Sequence, residues 1–156
     1  MQLRPLLAKF DAAAAFLQSP LLLLIRLYWG WQFAQTGWGK LTHLERTTGY
    51  FESLNLPMPK VNAILAGGTE CVGGILLALG LFARPASVPL IFTMLVAYWT
   101  ADREALVALG SDPDKFVTAA PFLFLLAPLL VLAFGPGRLS LDALLRGKAA
   151  PASGNR

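Results

Sequence analysis

Four apolar stretches, near residues 20–39, 61–82, 85–101 and 116–137, take up most of this chain. Each approaches the roughly 20 residues that an α-helix needs to cross a hydrocarbon core. No other feature constrains the fold as much. In lipid every backbone polar group must be satisfied internally, so a spanning chain forms helices or a closed barrel. A barrel needs short strands of alternating polarity, and this sequence does not alternate. With 56% hydrophobic residues, 14% charged residues and a mean hydropathy of +0.58, the chain is also too apolar for a soluble domain of 156 residues. The sequence predicts an all-α fold, a four-helix transmembrane bundle.

The connections refine that expectation. Residues 5–18 place Leu6, Phe10 and Leu17 on one side and Lys9 and Asp11 away from it, the pattern of a short amphipathic N-terminal helix lying in the membrane interface. Between spans one and two, Leu41, Leu44, Thr48 and Phe51 recur at helical spacing, which predicts an amphipathic segment that ends before Pro57 and Pro59. A tight turn around Ala83 to Pro85 makes spans two and three antiparallel neighbours, and Pro121 and Pro128 predict a bend in the fourth. No linker interrupts the chain, so residues 1–148 read as one domain and the small, polar residues 149–156 as a disordered tail. No cleavable signal peptide is expected, because Arg26 interrupts the first apolar run.

The net charge of +4 is scattered over tails and loops rather than gathered into a stripe, which argues against nucleic acid. It bears on orientation instead. Arg4, Lys9, Arg84, Arg138, Arg146, Lys148 and Arg156 fall on the side of the termini, against Lys40, Arg46, Lys60, Arg103 and Lys115 on the other. Basic residues accumulate on the cytoplasmic side, which predicts that both termini are cytoplasmic.

Two ionisable residues stand alone in the spans, Arg26 in the first and Glu70 in the second. Charge at bilayer depth costs about 3 kcal/mol or more unless partnered, so each suggests the other. Arg26, Gly30, Phe33, Gly37 and Lys40 share one helical face, while Gly67, Cys71, Gly74 and Ala78 form a small-residue stripe beside Glu70. Counted inward from Lys40 and Lys60, Arg26 and Glu70 differ in depth by roughly 6 Å, within an arginine's reach. Such a pair either forms a polar pocket that takes a ligand or a proton, or fixes helix register. Trp29, Gly30, Phe33, Lys40, His43 and Gly74 are the candidate lining of that pocket. Trp29, Trp31, Trp38 and Tyr28 equally suit interface anchoring or packing, and the single histidine, His43, suits a surface position.

Several chemistries find no support. The lone Cys71 permits neither an internal disulfide nor a two-cysteine relay. The chain has no phosphate-binding Gly-rich loop, and no Cys and His cluster for zinc, haem or iron–sulfur ligation, so no metal and no built-in cofactor is expected.

The Arg26 to Lys40 face, the segment from Phe51 to Pro59 with its Leu-Pro-Met-Pro ending, and Glu70, Gly73, Gly74, Gly80 and Arg84 together resemble the DoxX family of small four-span membrane proteins. The resemblance covers roughly residues 20–135 and implies a bacterial inner-membrane bundle. In some members it implies association with quinone-linked redox systems. The resulting expectation is a subunit or partner of a membrane redox enzyme, with quinone or a small apolar ligand near Arg26 and Glu70 and any catalysis needing a partner. A non-enzymatic scaffold or assembly factor, alone or as a homo-oligomer, is the alternative. A small transporter is a weaker one, since neither an inverted repeat nor paired broken helices are visible.

Overall fold

The computed structural model describes residues 3–149, with helices as its regular elements. Helix α1 runs from Leu3 to Thr42, α2 from Leu44 to Ser53, α3 from Pro59 to Leu79 and α4 from Ala83 to Thr100. Two short helices, α5 (Arg103–Val107) and α6 (Pro113–Thr118), flank a 3₁₀ turn at Ala108–Gly110, and α7 (Pro121–Phe134) and α8 (Leu141–Ala149) complete the order. Helices α1, α3, α4 and α7 pack together, α1 on α3, α3 on α4 and α4 on α7, with α1 also touching α7. Phe33, Leu77, Leu90, Met94, Tyr98, Leu125 and Val131 form the buried core between them.

Helix α3 shows how local chemistry sets the boundaries. Pro59 opens it at a position where the missing N–H is no loss. Gly80 closes it at φ +65°, donating to the Leu77 carbonyl, while Leu81 N–H reaches the Leu76 carbonyl. That left-handed closure needs a residue without a Cβ. Phe82 follows at φ +45°, unusual for a bulky residue. A carboxylate distant in sequence holds it: the two oxygens of Asp142 accept from Phe82 N–H at 2.9 Å and Ala83 N–H at 3.0 Å, capping α4.

Four boundaries differ from the sequence expectation. The predicted N-terminal helix over 5–18 is not separate, because α1 continues through Pro20 without a break. There the Ser19 hydroxyl accepts from Arg138 N–H, which ties this part of α1 to the loop after α7. The side chains of Leu6, Lys9 and Asp11 lie outside the described residues. The turn joining α3 and α4 falls at Gly80–Phe82 rather than Ala83–Pro85, since proline is accommodated in the first turn of a helix. The predicted fourth span is divided between α6 and α7 by Ala119, which is extended at ψ 144°. Ala149 closes α8, and the predicted disordered tail otherwise lies outside the described residues.

Among the described helices α3 is the one both long and apolar enough to cross a membrane, and α7 is apolar but shorter, at 14 residues. Large apolar side chains face outward on all four packed helices, among them Trp31, Ile64, Val72, Phe92, Leu95 and Leu123.

Candidate functional site

The arrangement of the buried charges follows from how closely α1 approaches α3. A Cβ placed on Gly37 would run into the Cys71 nitrogen and lie 2.6 Å from the Gly67 oxygen. One on Gly30 would lie 2.6 Å from the Ala78 nitrogen and 2.7 Å from the Gly74 oxygen. The Arg26 to Lys40 face and the small-residue stripe of α3 therefore meet backbone to backbone, as packing in lipid favours. The antiparallel register is set by these contacts, with Gly30 opposite Gly74 and Ala78, and Gly37 opposite Gly67 and Cys71.

That register separates Arg26 from Glu70 and gives each a different partner. Arg26 falls level with Gly80, ten residues beyond Glu70, or about 15 Å along α3 at 1.5 Å per residue. Lys40 instead falls near Gly67, within one helical turn of Glu70. Its ammonium donates to both carboxylate oxygens of Glu70 at 2.5 Å. The expected Arg26–Glu70 pair is thus replaced by Lys40–Glu70. The depth comparison from Lys40 and Lys60 failed because α3 starts several residues farther out than the level of Lys40, a stagger that the glycine contacts impose.

The Lys40–Glu70 pair is lopsided. Glu70 is 1% exposed and Lys40 31%, so the carboxylate is sealed in the α1–α3 interface while the lysine side chain keeps partial contact with the surroundings. The Thr47 hydroxyl donates to the Lys40 carbonyl and to that of His43. The neighbouring Thr48 hydroxyl is buried without a hydrogen-bond partner. His43 is exposed at the start of α2, its Nδ1 3.1 Å from the Gly39 carbonyl oxygen and the Thr42 hydroxyl.

Arg26 marks the other end of the bundle. It is 0% exposed, and its Nη2 donates to the Leu139 carbonyl at 2.6 Å, while Nε lies 3.4 Å from the Leu22 carbonyl. Its Nη1 is buried against Gly80 with no hydrogen-bond partner. An α1 side chain thereby fastens the segment between α7 and α8 onto the α3–α4 turn. Gly80 is required here twice, for its φ and for the guanidinium packed on it.

Of the remaining candidates, Phe33 and Gly74 are buried in the α1–α3 contact, and Phe33 and Trp29 both pack edge-on against Phe124 of α7, with ring centroids 4.9 and 5.0 Å away. Trp31, Trp38 and Tyr28 point outward. Two open cavities, of about 600 and 500 Å³, lie at opposite ends of α4 and α7, and none of the predicted site residues lines either one. Among the described residues, no three His, Cys, Asp or Glu side chains gather at one point.

Sequence reasoning missed Lys40 as the partner of Glu70, although its face was correct. The glycines narrow the choice of stagger without fixing it, and the stagger adopted, with Gly30 and Gly37 against Gly74 and Gly67, brings Lys40 to Glu70. It also missed Asp142, Leu139 and Ser140, which reach the site from a segment more than fifty residues past α3 and carry no local pattern.

A glycine-packed helical bundle with an ion pair and a carbonyl-bound arginine inside and its apolar side chains outside defines a small integral membrane protein. The chain belongs to the DoxX family, whose profile matches residues 21–103. It is 34% identical over 139 residues to inner membrane protein YphA of Escherichia coli, covering 85% of this chain and 94% of the relative. It is also 34% identical over 149 residues to an uncharacterized membrane protein of Mycobacterium tuberculosis, Rv3486, covering 88% of each. No solved structure matches the chain significantly.

Proposed function

We propose that this DoxX-family protein is a four-span inner-membrane bundle, its termini cytoplasmic, that serves as a non-catalytic subunit or partner in a membrane complex. The observation that carries this reading is that both intramembrane charges are committed to holding α1 in place. Glu70 has both oxygens on Lys40, and Arg26 clamps the Leu139 carbonyl. The four spans are supported by the outward apolar faces of α1, α3, α4 and α7, which in water would form an unsustainable patch. Redox enzymes are the partner class that the family resemblance implies. Native mass spectrometry of protein extracted gently from its own membrane tests the proposal. A retained protein partner supports it, and a bare chain with a bound quinone overturns it.

The second reading, a quinone or small apolar ligand at the charged site, is favoured by one feature. Lys40 is partly exposed beside a buried carboxylate. Lys40 would donate to a quinone carbonyl as charge develops, with Glu70 exchanging a proton. Purified protein that retains no quinone, together with unchanged membrane quinone reduction on deletion, rules this out.

A further inference from the structure

The end of the bundle that holds Arg26 carries the cavity of about 500 Å³, bounded by α1, the start of α4, the loop after α7 and α8. Three arginines from different elements line it: Arg84 in the first turn of α4, Arg138 in the loop and Arg146 on α8. The carboxylate in its wall, Asp142, is occupied at both oxygens by the N–H groups of Phe82 and Ala83. Among the described residues none of the three arginines forms a salt bridge. Arg26 stands behind the wall, since its guanidinium and the lining residue Ser140 meet over Gly80. A further buried positive charge, with an unpartnered N–H, therefore backs the site.

The walls are not uniformly polar. Phe16 of α1 and Phe134 at the end of α7 line the same cavity and are 76% and 61% exposed. The Arg138 N–H donates to the Ser19 hydroxyl and ties the loop to α1 in the cavity wall. Gly135, at φ +82°, lies beside the Arg84 guanidinium, which an added Cβ would meet in ordinary contact at 3.4 Å.

We propose that this cavity seats the phosphate headgroup of an anionic lipid, with Arg84, Arg138 and Arg146 on the phosphate and an acyl chain along Phe16 and Phe134. Guanidinium forks suit phosphate oxygens, and basic pockets at helix ends recognise acidic headgroups. The excess of positive charge selects an anionic over a zwitterionic lipid, and the adjoining phenylalanines select a lipid over a free ion. The proposal rests on the four-span reading for one point, that this end of the bundle meets the lipid–water boundary.

Delipidated full-length protein in detergent, given equal amounts of phosphatidylglycerol and phosphatidylethanolamine, provides the test by native mass spectrometry. Phosphatidylglycerol is expected to be retained at least about tenfold over phosphatidylethanolamine, and Arg84→Gln/Arg138→Gln/Arg146→Gln to abolish that preference. Lys60→Gln/Arg103→Gln/Lys115→Gln, with the same loss of charge at the other end, is expected to keep it. If the arginine triple variant fails to fold, Arg138→Gln alone, an exposed position, is expected to lower retention about threefold or more. Equal retention of the two lipids, or equal loss in both triple variants, overturns the proposal. Arginine-dependent binding of inorganic phosphate without lipid retention also overturns it, in favour of a free anion. Lipid added in detergent reports on the cavity whatever the number of spans, which cysteine accessibility in whole cells reads separately.

Discussion

A double-mutant cycle on Lys40 and Glu70 is the sharpest test of the charge assignment. Lys40→Met leaves a carboxylate that is 1% exposed without its counter-ion, and removing one partner of a buried pair costs about 3–5 kcal/mol. Glu70→Leu leaves the lysine, which is 31% exposed and can swing its ammonium outward along its stem, so this change costs less, about 1–3 kcal/mol. Lys40→Met with Glu70→Leu replaces the pair by apolar side chains of similar length and stays within about 1 kcal/mol of the parent. The coupling between the two positions is then about 3 kcal/mol or more. The same cycle on Arg26 and Glu70, whose positions lie about 15 Å apart along the helix axis, gives changes that add to within about 0.5 kcal/mol. Reversible unfolding in mixed micelles, followed by the fluorescence of Trp29, Trp31, Trp38 and Trp99, measures all the variants. A coupling of Arg26 to Glu70 larger than that of Lys40 to Glu70 would refute the register derived from the glycine contacts.

Other substitutions probe the packing. Gly37→Ala drives a methyl group into the Cys71 and Gly67 backbone, where no flexible side chain can yield, and costs about 1–3 kcal/mol or more, whereas Gly39→Ala meets nothing within 4 Å and stabilises by up to about 1 kcal/mol. The same unfolding assay separates them. Gly80→Ala combines a left-handed φ of +65° with a clash against Arg26 and is expected to cost about 2 kcal/mol or more, with faster proteolysis near the α3–α4 turn. Tyr98→Phe removes the hydroxyl that donates to the Phe116 carbonyl at 2.8 Å but keeps the stacked rings, 4.5 Å apart, so a loss of about 1 kcal/mol is expected in thermal unfolding. Tyr98→Ala, which loses the rings as well, costs about 3–5 kcal/mol.

Much of the fold was legible because its signals are local. Pro59 opens α3 by its own backbone preference, and a spacing of three and four residues placed Gly30, Gly37 and Lys40 on one face without reference to any partner. The boundaries that were misread depend on contacts from elsewhere. Pro20 sits within α1, where the loop after α7 bonds the preceding Ser19, and the turn after Gly80 is held by Asp142, about sixty residues later. The candidate site divides in the same way. Periodicity identified Arg26 and Glu70 as buried, since unpaired charges inside apolar runs must find partners. Nothing local named those partners.

By itself, the sequence determined that this chain folds as helices with apolar surfaces and small-residue contact faces. Hydrophobic length and helical period depend on neighbouring residues alone. Only the tertiary structure decided that Glu70 pairs with Lys40, that Arg26 clamps the Leu139 carbonyl, and that Arg84, Arg138 and Arg146 share one cavity. The physical reason is register. Two glycine-bearing backbones can interlock at several staggers, each a helical turn apart, and the one adopted sets which charges face each other at distances where a few ångströms separate an ion pair from no interaction.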